Sequence, residues 1–127
     1  MEDQFVTVKH KVTDEDINDI MCTALEGGIN CWCSKAEVID GDYKGAEYAS
    51  DSLSKGAKLL LHDCEDDHIG DEEKFTLTKE KFMKGFQLYL TNGVEKGRTV
   101  YTDPGDIDAC EADCIIQFAV FGEIVYG

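Results

Sequence analysis

The chain has 127 residues, 43% of them hydrophobic and 31% charged, with a formal net charge of −15. That length holds one domain with a useful core and is too short for two comfortable ones. Arg98 is the only arginine, so no basic stripe exists to neutralise a long phosphate backbone, which excludes DNA or RNA polymers as direct partners.

The acidity itself has two readings. One is solubility through mutual repulsion of the molecules. The other is a surface that imitates nucleic acid and blocks a nucleic-acid-binding enzyme. A small anionic ligand stays compatible with either, because backbone N–H groups bind phosphate locally. The six cysteines, Cys22, Cys31, Cys33, Cys64, Cys110 and Cys114, form no C-x-x-C pair and sit in apolar contexts. They read as reduced thiols in a cytosol. The opening MEDQFVTVKHK has no apolar core of a signal peptide, and no run approaches the length of a membrane span.

In chain order, residues 4–12 (QFVTVKHKV) alternate roughly and suggest a short edge strand. Thr13 then reads as an N-cap, with Asp14, Glu15 and Asp16 at the positive end of a helix dipole. Ile17, Ile20, Met21, Ala24 and Leu25 recur at helical spacing, which predicts a helix over 14–26 stopped by Gly27 and Gly28. Residues 29–39 read as a strand with Asn30, Trp32 and Ser34 on one face and Ile29, Cys31 and Cys33 on the other. A turn at 40–46 follows, and 47–56 is ambiguous between loop, short helix and strand.

Residues 57–63 and 74–78 read as two further strands, joined by the acidic run CEDDHIGDEE. Thr78 is a second N-cap, and Leu77 with Phe82 has the spacing of a hydrophobic staple. Phe82, Phe86 and Tyr89 line one face of the helix that follows, and Asn92-Gly93 reads as its end. A third helix opens at Asp106 or Asp108 and runs to about Phe121. Its stretch CIIQFAVF is apolar all round except for Gln117, which predicts burial in the core or in a subunit contact. The closing GEIVYG suggests a last short strand. The expected fold is one α+β domain over 1–127, a small antiparallel sheet flanked by three helices.

No motif for chemistry assembles from these residues. His62, Cys64 and His68 lie near several acids, but their spacing matches no standard zinc set and the run lacks a calcium-loop order. No cysteine has an electropositive neighbourhood that would activate it. Neither a P-loop nor a G-x-G-x-x-G is present. The expectation is a protein with no catalytic residues, no metal and no cofactor. Phe82 and Asn92 stand at opposite ends of one helix, about 15 Å apart at 1.5 Å per residue. Phe82 is either a staple or a surface for stacking a base. Asn92 is either a helix cap or a donor and acceptor for a base edge or a ribose.

Four segments carry a family resemblance: VTDEDINDIMCTALEGGINCWC (12–33), EYASDSLSKGAKLLLHD (47–63), KFMKGFQLYLTNG (81–93) and ADCIIQFAVFGEIVYG (112–127). Together they span most of the chain. It resembles the first-described family of Thoeris anti-defence proteins of phages and prophages. The resemblance implies a non-enzymatic sponge in the cytoplasm of an infected bacterium. Such a protein binds a cyclic ADP-ribose isomer (glycocyclic ADP-ribose) and holds it intact, so that the Thoeris effector is not activated. It implies an aromatic and an asparagine in the ligand pocket, at Phe82 and Asn92. Arg98 is added as the one guanidinium available for a pyrophosphate, and Tyr101 as a stacking face or phenol. The resemblance also implies a homo-oligomer with pockets at subunit junctions, for which the apolar third helix is the expected contact surface. Cys31 departs from the family pattern, where a tyrosine is common, as does the strong negative charge. The competing expectation is an acidic nucleic-acid mimic that inhibits a host nuclease or CRISPR effector.

Overall fold

The computed structural model describes residues 3–63 and 74–127. It is an α+β domain with one three-stranded antiparallel sheet and four α-helices. The helices are α1 (Asp14–Thr23), α2 (Ala49–Ser52), α3 (Lys79–Glu95) and α4 (Ala109–Phe121), and the strands β1 (Cys33–Val38), β2 (Leu59–Asp63) and β3 (Lys74–Leu77). The strand order is β1-β2-β3, with Val38 opposite Leu59 and Leu59 opposite Leu77. The acidic run with Cys64 and His68 lies outside the described residues.

The helix starts follow from capping. Thr13 accepts from the Asp16 N–H, and Asp16 reaches back to the Thr13 N–H at 3.0 Å, a complete capping box. Thr78 and Asp108 cap α3 and α4 by accepting from the N–H groups of Lys81 and Glu111, without a reciprocal bond. Leu77 and Phe82 are both fully buried in one core, as a staple requires.

The helix ends depart from expectation. After α1 the chain winds on through a π turn, Ala24–Gly28, because Gly28 presses against α4. A Cβ there would stand 2.7 Å from the Ala109 carbonyl oxygen. Asn92-Gly93 does not end α3 either. Gly93 is buried inside the helix, and the stop falls at Gly97, whose φ is +69°. The Arg98 N–H donates to the Gly93 carbonyl and the Gly97 N–H to that of Val94. These two bonds are a Schellman motif.

Three strand expectations are corrected. Residues 3–13 take no regular structure and leave Phe5, Val6 and Val8 exposed. Residues 29–32 form a turn, so Trp32 and Cys33 are buried together and the predicted alternation fails there. Residues 122–127 form no strand. Instead the buried Gln117 amide serves them as a strand neighbour would. Its Oε1 accepts from the N–H groups of Val125 and Tyr126 (2.9 and 2.8 Å), and its Nε2 donates to the Tyr126 carbonyl.

The core joins all these elements. Ile17, Ile20 and Met21 of α1, Leu59 and Leu61 of β2, Phe82 and Phe86 of α3 and Ile115 and Ile116 of α4 are at most 2% exposed. The apolar third helix is therefore spent inside one copy. α4 packs along α3 and the π turn, the core alternative of the two that the sequence left open. No helix among the described residues is long and apolar enough to cross a membrane.

Candidate functional site

Three of the four residues singled out in the sequence, Asn92, Arg98 and Tyr101, lie on the last turn of α3 and the connection that follows it. Asn92 sits half-exposed on its last full turn. The Schellman motif then folds the chain back, so that Arg98 lies beside Gly93. Arg98 is exposed, and its charge is felt across the gap at Cys114 of α4. Tyr101 follows, half-buried, with its main chain pinned: its N–H donates to the Tyr89 hydroxyl at 3.2 Å. Lys96 adds a second exposed cation at the same turn. Both cations stand where the helix dipole is negative, which stabilises them.

Phe82 is not in this group. It lies near the other end of α3, fully buried and edge-on to Phe86 at 6.2 Å between ring centroids. No ring face reaches the surface in the single copy. The structure thus places Phe82 as a core and staple residue, and it places Asn92 inside the helix and not at its cap.

Sequence reasoning did not single out the polar pair beneath the site. Tyr89 donates its hydroxyl proton to the Glu111 carboxylate and accepts from the Tyr101 N–H. It thereby ties α3, α4 and the 98–107 connection together. Burial, then the Glu111 carboxylate, pushes the Tyr89 hydroxyl well above the ordinary tyrosine value. A tyrosine raised in the folded state contributes stability that is complete below pH of about 10 and is lost as pH rises through the folded value. The wild-type chain will therefore lose stability in the alkaline range, and Tyr89→Phe will lose less of it over that range. Urea unfolding at a series of pH values from neutrality upward checks this. Burial also pushes the Cys114 thiol up, so this cysteine is a weak nucleophile.

A second polar cluster, built on Asp113 and Gln117 of α4, was signalled only by the lone Gln117 in an apolar run. Trp32 Nε1 donates to Asp113 Oδ1 at 2.7 Å, and Gln117 Nε2 donates to Asp113 Oδ2 at 2.9 Å. Tyr126 stacks on Trp32, with 4° between the planes, and donates its hydroxyl to Asp63. Burial pushes the Asp113 carboxyl above its ordinary value, against the pull of the two donors. Every partner here is already engaged within the chain, so the cluster reads as scaffold. A shallow cleft of about 200 Å³ lies elsewhere, lined by Asp40, Asp42, Lys44 and Lys58. Its Asp42 and Lys44 are paired to each other at 2.8 Å.

Among the described residues no group of His, Cys, Asp and Glu side chains has the arrangement of a metal site. What the end of α3 offers chemically is recognition: a guanidinium and an ammonium for an anion, an amide for a polar edge, and a half-buried phenol. No protein-family model matches the chain, and no curated protein and no solved structure matches it either.

Proposed function

We propose that the chain is a capture protein that binds a cyclic ADP-ribose-type signal (glycocyclic ADP-ribose) and holds it without turnover. In the cytoplasm of an infected bacterium this prevents activation of a Thoeris effector. The observation that supports the reading is that the Schellman turn after α3 folds Arg98 back to Gly93, next to Asn92 in the chain, and that the Tyr101 main chain is tied to Tyr89 of the same helix. The only guanidinium of the chain suits a pyrophosphate by paired N–H donors. The Asn92 amide suits a ribose or base edge, and the Tyr101 ring suits stacking. The identity of the ligand rests on the resemblance of the four sequence segments to the Thoeris anti-defence family. Phe82 serves this reading from within the core, by holding α3 in place. Self-association belongs to the same proposal.

The test is capture and release. The protein is mixed with cyclic ADP-ribose isomers, filtered and then denatured, and the released material is identified. Recovery of intact ligand supports the proposal. Loss of ligand with appearance of a product identifies an enzyme, and failure to retain any isomer overturns the reading. Arg98→Ala is expected to weaken capture by about 10- to 100-fold, the range of a lost charged hydrogen bond at about 1.5–3 kcal/mol. Isothermal titration measures it, and because Arg98 is exposed the variant keeps its fold.

A further inference from the structure

Residues 3–12 lead into α1 without regular structure, and Phe5, Val6 and Val8 are 87%, 94% and 84% exposed. Three large apolar side chains within four residues are an apolar surface that one copy leaves in water. The composition of this arm is that of a strand, rich in Val, Thr and Phe. Its alternation sets Val6 and Val8 on one side and Phe5, Thr7, Lys9 and Lys11 on the other. Residues 4–12 hold two lysines, His10 and no acid, in a chain of net charge −15. Another copy of the same chain is thus an electrostatically complementary partner for the arm.

The sheet presents two outer strands, β1 and β3. The β3 edge is guarded by lysines. Lys81 Nζ donates to the Thr76 carbonyl at 2.8 Å, and Lys74 is exposed beside it. Lysine on an edge strand discourages further pairing, and these charges repel Lys9 and Lys11. β1 differs. Its one lysine, Lys35, is paired with Glu37 at 3.2 Å, Glu37 also meets His62, and the exposed Asp40 and Asp42 follow, Asp42 paired with Lys44. Its Ala36 and Val38 belong to the core and its packed margin, while Lys35 and Glu37 form the charged row of the other face.

We infer that residues 4–12 of one copy add as a strand to the β1 edge of a second copy. The arm runs in the same direction as β1, which brings Lys9 and Lys11 to Glu37, Asp40 and Asp42. Val6 and Val8 then extend the apolar row of Ala36 and Val38. Main-chain hydrogen bonds supply the affinity and the two rows supply the register, as in other cases of strand addition. This surface uses none of the residues at the end of α3, so its failure is distinguishable from a failure of ligand capture; it rests on the self-association included in the proposed function and names its surface.

The full-length chain tests it. Light scattering across a concentration series is expected to rise from 14.1 kDa to twice that mass. Over the same series, hydrogen exchange is expected to slow more than tenfold at arm amides 5–11 and at the outward amides of β1. Val6→Asp with Val8→Asp, and separately Lys9→Glu with Lys11→Glu, will stay at monomer mass. Their melting temperatures will be unchanged, because Val6, Val8, Lys9 and Lys11 are exposed in the single copy and only Val12, at the end of the arm, packs against the core. Any of four results overturns the inference: a wild-type chain that stays monomeric, association that survives both double variants, protection on β3 in place of β1, or arm protection that appears only with anionic phospholipid vesicles.

Discussion

Gln117→Leu will detach residues 122–127 and cost about 3 kcal/mol, summing four lost hydrogen bonds at about 0.5–1.5 kcal/mol each. The side chain is fully buried in α4 and engages Asp113, Val125 and both main-chain groups of Tyr126. Leucine fills a similar volume and keeps helix propensity, so the loss isolates the polar contacts from packing. Trp32, the single tryptophan of the chain, reports the event directly. It is covered by Tyr126 at 5.7 Å and flanked by Phe121 at 5.2 Å. Its emission will shift to the red in the variant before global unfolding. The Val125 and Tyr126 amides will exchange at rates close to those of an open chain. If emission and exchange stay as in the wild type, residues 122–127 are held by Tyr126 on Trp32 and Asp63, and Gln117 is dispensable.

The second large effect is expected at Gly85. This residue lies in the middle of α3, where alanine is intrinsically favoured by about 0.8–1.0 kcal/mol. Here the preference is reversed. A Cβ at Gly85 would stand 2.6 Å from the backbone N and Cα of Ala119 as well as its side chain. Backbone atoms of a packed helix do not yield as a flexible side chain does, so α3 and α4 must move apart. Overpacking of this kind costs about 1–3 kcal/mol. Gly85→Ala is expected to destabilise by about 2 kcal/mol, lowering the melting temperature by about 8 °C. Adding Ala119→Gly will restore only part of this, since the conflict is with main chain as well as Cβ. Full restoration would show that side-chain crowding alone sets the contact. Calorimetry of the single and double variants decides between them.

The Gly85 contact also bears on the candidate site. The α3–α4 contact sets the distance across which Tyr89 reaches Glu111 and orders Tyr101. A separation near Gly85 is therefore expected to loosen the 98–107 connection, which hydrogen exchange at Tyr101 will register.

Local signals in the chain determined much of this architecture. The capping residues Thr13, Thr78 and Asp108, the helical spacing of Ile17, Ile20 and Met21, the apolar run at 59–61 and the alternation of Phe75, Thr76 and Leu77 act within a few residues of themselves. A reader of the sequence can therefore place α1, α3, α4 and the three strands. Gln117 was visible as the one polar residue in the apolar run CIIQFAVF, and Arg98 as the one arginine. Where α3 stops was decided by tertiary contact. Asn92-Gly93 has the chemistry of a helix end, but Gly93 is buried beneath Val100 and the left-handed turn passes to Gly97. Gly28 and Gly85 make room for another helix by their missing side chains, Gly28 where the winding after α1 ends and Gly85 in mid-helix. Residues 122–127 look like a strand yet pair with a side chain. Phe82 has the face of a stacking residue and lies in the core. Each of these outcomes depends on a neighbour far away in sequence, such as Ala119 against Gly85 or Trp32 against Asp113 and Tyr126. The spacing of residues along the chain carries no record of such neighbours, because only the packed helices and sheet bring them within contact.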